Sequence, residues 1–209
     1  MTDFIPLFPL SMVVFPGEHL NLHIFEPRYR QLIRECDENK ITFGIPAYIE
    51  NKLMDFGTEI RLKNIEKIHD DGKMDVETEG IGIFKIHTFY REVPNKLYSG
   101  ADIERLNNNN KRNSHSAHRI RTAIEELFDL LSINKSIPDD FLTYDLAHHV
   151  GFSLDQEYHF LCIPSELERQ NYMIQHLEKL IPMVKETERL RKKASMNGHF
   201  KRVISPDDL

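Results

Sequence analysis

The 209-residue sequence has little cysteine, no tryptophan and no long apolar run. Its two cysteines, Cys36 and Cys162, lie far apart, whereas a small secreted domain held by disulfides carries several cysteines in spaced sets. No run approaches the roughly 18 apolar residues that a membrane-spanning helix needs. The first ten residues contain an acidic residue where a signal peptide has a basic one, and two prolines interrupt their apolar residues. We therefore expect a cytoplasmic protein without a membrane span.

A concentrated positive charge is also missing. The net charge is −6, and residues 1–105 alone carry 13 basic and 18 acidic side chains. Binding to the backbone of a nucleic acid needs a concentrated positive surface, so nucleic acid is not the expected partner. One basic run without acidic residues comprises Arg189, Arg191, Lys192, Lys193, Lys201 and Arg202. We interpret this run as the end of a helix, where basic side chains complement the negative end of the helix dipole.

The nine glycines do not form a phosphate-binding loop. The only Gly-Lys pair, Gly72-Lys73, is followed by Met74 rather than by Ser or Thr. A P-loop needs backbone amides that cradle the phosphates and a hydroxyl side chain that holds magnesium. We therefore expect no ATPase of this type and no cofactor.

Eleven histidines raise the question of a metal site or a catalytic pair. The pairs that stand out are His148 with His149, His115 with His118, and His159 with Cys162. Adjacent residues on a helix point about 100° apart, and the two pairs with i,i+3 spacing have no second pair of ligands, which a structural zinc site needs. Cys162 follows Phe160 and Leu161, a setting typical of a buried cysteine. We expect no metal, no catalytic residue and no enzymatic activity.

Residues 1–106 are predicted to be rich in β-strands. Alternating apolar residues predict strands over residues 19–25, 42–49, 58–69, 73–79 and 98–106, and a short apolar run at residues 12–15 predicts another. Asp71-Gly72 predicts a hairpin turn, and Pro27 predicts the first residue of a helix. The alternation slips between Leu62 and Ile65, which predicts a β-bulge. Gly80 and Gly82 are expected to interrupt a strand that resumes after them.

The hydrophobic period changes to that of helices after four consecutive asparagines at residues 107–110. Helices are predicted over residues 120–131 and 140–150, and a third begins at the capping box of Ser153 and Gln156. A long helix is predicted over residues 165–193, kinked or restarted at Pro182 and ended by Asn197-Gly198. The predicted organisation is α+β, with a β-rich segment 1–106, a polar linker 107–113 and a helical segment 114–209.

Two blocks of the sequence resemble the N-terminal domain family of Lon proteases. Residues 6–33, PLFPLSMVVFPGEHLNLHIFEPRYRQLI, contain a Pro-Leu, an apolar strand ending in Phe-Pro-Gly, a second strand and a proline-started helix with Arg and Tyr. This order is similar to the family's opening signature. Residues 56–86 look like its next block, in which a Gly-Thr precedes a strand and a hairpin follows. Residues 146–182 resemble the family's small helices and one long helix.

The resemblance implies a β-rich, PUA-like pseudo-barrel followed by an all-α helical bundle that ends in a long helix. It implies a stand-alone LON-domain protein without the ATPase and peptidase domains of full-length Lon. The expected function is non-enzymatic binding of polypeptide segments or a protein partner, as an adaptor or holdase; the alternative is an RNA-binding PUA-like protein. The long helix, about 43 Å if unbroken, either docks on another subunit of a homo-oligomer or folds back along the barrel.

Five residues are candidates for peptide binding: Phe15, Arg28, Tyr29, Met54 and Phe56. Apolar and aromatic side chains with adaptable packing suit the recognition of unfolded segments. Phe15 belongs to a Phe-Pro-Gly turn that either shapes a groove or only ends a strand. Helical spacing places Tyr29 inward, and Arg28 pairs with an acidic residue such as Glu26 or contacts a peptide. Met54 and Phe56 are expected in a loop, as an apolar rim.

Overall fold

The structure, a computed structural model, describes residues 3–200, without the side chains of residues 196–200. Its elements are β1 Asp3–Pro6, β2 His19–Ile24, α1 Pro27–Asn39, β3 Phe43–Ile49, β4 Lys52–Ile68, β5 Met74–Tyr90, β6 Gly100–Leu106, α2 Ser114–Leu131, a 3-10 helix Thr143–His149, α3 Leu154–Leu161 and α4 Glu166–Phe200. No helix among the described residues is long and apolar enough to cross a membrane. Backbone packing separates two compact units. Unit 1 comprises the described residues up to Lys111 and Leu142–Arg169, and unit 2 comprises Arg112–Phe141 and the described residues from Gln170 on.

The strands of unit 1 form one antiparallel sheet in the order β1-β6-β5-β4-β3. The two long strands β4 and β5 are joined by the predicted hairpin turn, where Gly72 has a φ of +78° that suits glycine. β5 pairs with β2 along its first part and with β6 along its second part. Two parallel bridges, Leu7 with Gly44 and Leu10 with Ala47, join the chain after β1 to β3 and thereby connect the two ends of the sheet. The predicted α+β class with a β-rich pseudo-barrel is confirmed.

α1 closes the main core of the sheet. Pro27 opens this helix, and its buried stripe consists of Tyr29, Leu32, Ile33 and Cys36, as the 3.6-residue spacing indicates. The stripe packs with sheet residues in one cluster, whose other members are Phe8, Val14, Leu20, Ile24, Phe43, Ile45, Ile60, Met74, Val76 and Tyr98. The burial of apolar area therefore fixes the position of α1 against the sheet. This packing also fixes the backbone position of Arg28, the second residue of α1.

Two strand predictions need correction. The apolar run at residues 12–15 is not a strand but a buried loop, whose Val14 carbonyl accepts a hydrogen bond from the Thr58 hydroxyl. β5 is not interrupted at Gly80 and Gly82, because a bulge absorbs the extra residue between them. A Cβ on Gly80 would lie 2.5 Å from the carbonyl oxygen of Phe15, so glycine allows the buried loop to cross β5 here. The bulge predicted after Leu62 is confirmed.

The units differ from the predicted segments because residues 142–161, expected in the helical half, pack with the strands in unit 1. The division of the chain into domains at residues 1–106, 107–113 and 114–209 stays a prediction. The predicted helix over residues 140–150 is the shorter 3-10 helix, and the capping box of Ser153 and Gln156 is confirmed. α4 runs without interruption through Pro182. It also continues past the predicted stop at Asn197-Gly198, because glycine permits the left-handed conformation that ends a helix but does not require it. Lys201 and Arg202 of the basic run lie outside the described residues.

A candidate peptide-binding groove

Unit 1 contains an open groove of about 580 Å³ on its surface. We call it the aromatic groove and define it by the side chains that line it: Pro9, Arg28, Tyr29, Tyr48, Leu53, Phe89, Arg91, Leu97 and Ser99. These residues come from α1, from strands β3, β4 and β5, from the loop after β1 and from the loop between β5 and β6. The groove therefore exists only when the ends of several strands and the start of α1 have assembled.

A tight hairpin supplies one wall of the groove. β3 and β4 are joined by Glu50 and Asn51, whose φ angles of +47° and +62° match the two-residue turn that follows the natural twist of a hairpin. Tyr48 and Leu53 lie directly opposite each other in the β3–β4 pairing, just beyond this turn. Residues opposite each other in an antiparallel pair point to the same face, which places both side chains on the groove.

The start of α1 supplies the floor. The Tyr29 ring is 7% exposed and stacks on Phe8 with ring centroids 3.9 Å apart. Burial raises the pKa of the Tyr29 hydroxyl, so this group is neutral at physiological pH and is able to donate a hydrogen bond. The Arg28 guanidinium lies 4.5 Å from the centre of the Tyr29 ring and forms an ion pair of 2.7 Å with Glu26. Stacking on the ring holds the positive charge of Arg28 beside the floor.

Large apolar side chains stand exposed around the groove. Leu97 is 65% exposed, Phe89 44% and Tyr48 37%. Three such side chains around one concave surface are typical of an interaction site, whereas single exposed apolar residues are ordinary. The groove also carries two arginines, Arg28 and Arg91, and none of its lining residues is acidic. It is therefore suited to a segment with apolar side chains and a nearby carboxylate, which guanidinium groups bind well.

The structure brings together only two of the five predicted site residues, Arg28 and Tyr29. The ion pair of Arg28 with Glu26 is present and the Arg28 side chain lines the groove, while contact of Arg28 with a peptide stays a prediction. Half of the Arg28 side chain remains exposed, and an exposed ion pair contributes at most about 1 kcal/mol. Competition from Glu26 therefore does not prevent Arg28 from contacting a bound segment.

The other three predicted residues lie outside the groove. Phe15 is 1% exposed and its ring stacks on Tyr144 with centroids 5.2 Å apart, so it belongs to the core. Met54 and Phe56 are half-buried and lie on strand β4 rather than in a loop. Neither side chain lines the groove, and Phe56 packs against Tyr158 with ring centroids 6.4 Å apart while its backbone amide donates to the Tyr158 hydroxyl.

Four large apolar residues of the groove are missing from the sequence prediction: Tyr48, Leu53, Phe89 and Leu97. Tyr48 and Leu53 flank Glu50-Asn51, and recognising those two residues as a hairpin turn would have placed both side chains on one face. No sequence pattern distinguishes Phe89 and Leu97 from core residues. The same apolar residue type occurs in buried and in exposed positions, and the sequence does not show which side chains other parts of the chain cover.

Neither thiol is activated as a nucleophile. Cys36 is buried, and burial raises the pKa of its thiol to about 12. Burial also raises the pKa of the Cys162 thiol. Since the thiolate is the reactive form, both cysteines are unreactive near neutral pH.

Comparison with known proteins gives one family and a consistent fold. The family model for the ATP-dependent protease La (LON) substrate-binding domain matches residues 5–179. The structure is similar to that of a Lon N-terminal domain protein from Xanthomonas campestris, with a TM-score of 0.64 at 21% sequence identity over 83% of this chain and 98% of that one. It is also similar to the N-terminal domain of Mycobacterium avium complex Lon protease, with a TM-score of 0.60 at 12% identity over 84% of this chain and 98% of that one. These matches confirm the resemblance seen in residues 6–33 and 56–86.

Proposed function

Because the chain belongs to the ATP-dependent protease La (LON) substrate-binding domain family, we propose that its aromatic groove binds polypeptide segments with exposed apolar side chains. The observation that carries this proposal is the ring of exposed Tyr48, Phe89 and Leu97 around a concave surface floored by Tyr29. Binding is non-enzymatic. The protein acts as an adaptor or holdase that keeps an unfolded segment from other contacts.

The expected affinity depends on the apolar area that a bound segment and the groove bury together. A segment that buries roughly 400 Å² of apolar surface gains about 10 kcal/mol before the cost of association. That cost is at least about 4 kcal/mol, which leaves about 6 kcal/mol, or a dissociation constant of tens of micromolar. Such weak binding allows the chain to release a segment quickly, as an adaptor or holdase requires.

The composition of the groove also defines which segments bind best. Tyr48, Phe89 and Leu97 offer apolar contact, while Arg28 and Arg91 offer charge. We expect segments with two or three apolar residues next to an aspartate, a glutamate or a free C-terminal carboxylate to be preferred. Basic segments are disfavoured because two arginines line the groove, no lining residue is acidic, and the nearby Glu26 carboxylate is already paired with Arg28.

Fluorescence anisotropy with labelled peptides tests the proposal. One peptide carries apolar residues beside an aspartate, a second has the apolar residues replaced by serine, and a third has the aspartate replaced by lysine. The expected order of affinity is first, third, second, with only a small loss for the first peptide between 0.05 and 0.5 M salt, because apolar contact is little screened. Equal binding of all three peptides, or no binding of any, would remove the proposal.

The same measurement separates peptide binding from the RNA-binding alternative. Phosphate contacts make affinity for RNA fall steeply with salt. The RNA-binding alternative stays a prediction from the sequence, as does the cytoplasmic location. Tight, salt-sensitive binding of single-stranded RNA without binding of peptide would replace the proposal with this alternative.

A further inference from the structure

A cluster of two imidazoles and a carboxylate lies in unit 1, outside the aromatic groove. Nδ1 of His23 lies 2.6 Å from Oδ1 of Asp75, and Nε2 of His69 lies 2.7 Å from Oδ2 of the same carboxylate. One ligand atom from each of the three residues lies within 4.8 Å of the other two. Both imidazoles therefore direct a nitrogen toward a single carboxylate.

The fold brings these residues together from distant positions in the sequence. β2 and β5 pair in a register that sets His23 directly opposite Asp75. The hairpin between β4 and β5 returns His69 to the same place, and its backbone amide donates to the carbonyl of Lys73. Cross-strand hydrogen bonds thus fix the backbone that carries all three side chains.

α1 braces the tip of this hairpin. The Arg30 guanidinium donates a 2.8 Å hydrogen bond to the carbonyl oxygen of Asp71, and it lies against Gly72. The three side chains themselves remain accessible, with His23 53%, His69 31% and Asp75 36% exposed. A rigid backbone under accessible side chains is an arrangement that an ion can enter from solvent without unfolding the strand ends.

We propose that His23, His69 and Asp75 form a binding site for a divalent transition-metal ion, with zinc as the best match. Two imidazole nitrogens and a carboxylate oxygen are a donor set that suits zinc, with a fourth position filled by water. Ligands about 2 Å from a tetrahedral ion lie roughly 3.3 Å apart. The three ligand atoms already lie within 4.8 Å of one another, and the two nitrogen–oxygen distances of 2.6 and 2.7 Å must open slightly to admit the ion.

The charge of the carboxylate supports the site. The Asp75 carboxylate faces both imidazole nitrogens, so an ion held between these nitrogens and one of its oxygens would meet a negatively charged ligand. Against this, Lys67 is the partner of Asp75 in the β4–β5 register and places a positive charge on the same face. We therefore expect moderate affinity, since a neighbouring positive charge opposes cation binding.

Three-residue sites of this kind escape a search of the sequence for ligand pairs. His23 and His69 are 46 residues apart, and Asp75 is six residues beyond His69. None of these spacings is a helical or zinc-finger spacing, and the pairs considered from the sequence alone involve other histidines. The register of β2 on β5 is what creates the site.

Isothermal titration of the full, untagged chain with zinc chloride tests the proposal. We expect one zinc ion per chain and a rise in the unfolding temperature on saturation. His23→Gln and His69→Gln are each expected to weaken binding by roughly tenfold or more, since even an outer partner of a ligand is worth 10- to 100-fold. His87→Gln is the matched control, because His87 lies 3.1 Å from Glu104 on the same sheet and is part of no such group of three. It should leave binding unchanged.

Nitrogen-15 spectra of the imidazoles make the test independent of folding defects in the variants. Zinc is expected to shift Nδ1 of His23 and Nε2 of His69 in the wild-type chain, and to leave both nitrogens of His87 unshifted. Absence of stoichiometric zinc binding would overturn the proposal. So would binding that survives in both the His23→Gln and His69→Gln chains, because the ion would then occupy other ligands.

Discussion

Nδ1 of His148 lies 2.7 Å from Oε1 of Glu157, and its Nε2 lies 3.2 Å from Oε2 of Glu18. The imidazole thus joins the 3-10 helix to α3 and to the loop before β2 within unit 1. The hydrogen bond to Glu18 is the main reason that the pKa of His148 is raised to about 9, with a smaller effect of the same sign from Glu157. This histidine is protonated at neutral pH and acts as a cationic link between two carboxylates.

The raised pKa predicts how stability depends on pH. The folded-state pKa of about 9 exceeds the ordinary value of 6.5, so the stabilisation is complete below about pH 6.5 and is lost as pH rises toward 9. After allowance for solvent screening, the free energy of unfolding should fall by on the order of 2 kcal/mol across this range. Urea unfolding at several pH values measures the fall. His148→Gln should flatten it, while His115→Gln on α2 should leave it unchanged; a wild-type chain with constant stability from pH 6.5 to 9 would refute the prediction.

The apolar rim of the aromatic groove should contribute to affinity but not to stability. Phe89→Ser and Leu97→Ser are each expected to weaken peptide binding about three- to tenfold, because each removes part of the apolar contact of a bound segment. Both side chains are substantially exposed, so the unfolding temperature should change little. Ile68→Ser is the matched control, since Ile68 is 60% exposed on β4 and does not line the groove. Equal losses of affinity in all three variants would place the binding surface elsewhere.

A buried ion pair at the start of α4 should contribute strongly to the stability of the fold. The guanidinium of Arg169 lies 3.1 Å from the carboxylate of Glu166 and 4.0 Å from the centre of the Tyr144 ring, and both members of the pair are fully buried. Arg169→Ala leaves Glu166 as an uncompensated buried charge, which should cost about 3–5 kcal/mol of unfolding free energy. Chemical denaturation followed by circular dichroism measures the loss.

The same helix offers a matched control for this pair. Glu186 and Arg189 have the same i,i+3 spacing and a distance of 2.6 Å, but both side chains are more than half exposed. Solvent screens an exposed pair, so Arg189→Ala should be nearly neutral. If both alanine variants were equally stable, burial would not be what gives the Glu166–Arg169 pair its importance.

Gly57 on β4 should not tolerate a side chain. A Cβ at this position would lie 2.6 Å from the carbonyl oxygen of Ile45 and 2.7 Å from the ring of Phe84, and backbone on one side cannot move away cheaply. Gly57→Ala should destabilise the chain by about 2 kcal/mol or more. Gly82→Ala is the control, because a Cβ there meets no atom within 4 Å. Thermal unfolding of the two variants compares them, and equal unfolding temperatures would contradict the prediction.

Local sequence patterns were sufficient for most elements of the fold. The 3.6-residue stripe of α1 and the capping box of Ser153 and Gln156 act within a few residues, and both appear as predicted. The failures are non-local. The loop at residues 12–15 has the composition of a strand, yet its path is set by Gly80 on a distant strand, which leaves room for it to cross.

The sequence by itself determined the family, the α+β class and the placement of Tyr29 on the inner face of α1, because motif order and hydrophobic period are carried by neighbouring residues. Only the tertiary structure decided which apolar side chains remain exposed and which distant polar groups meet. Phe15 and Phe89 are the same residue type, but one is covered by Tyr144 and the other faces the groove. Whether a side chain is buried depends on which other parts of the chain cover it. His23 and Asp75 meet only because β2 pairs with β5 in one register.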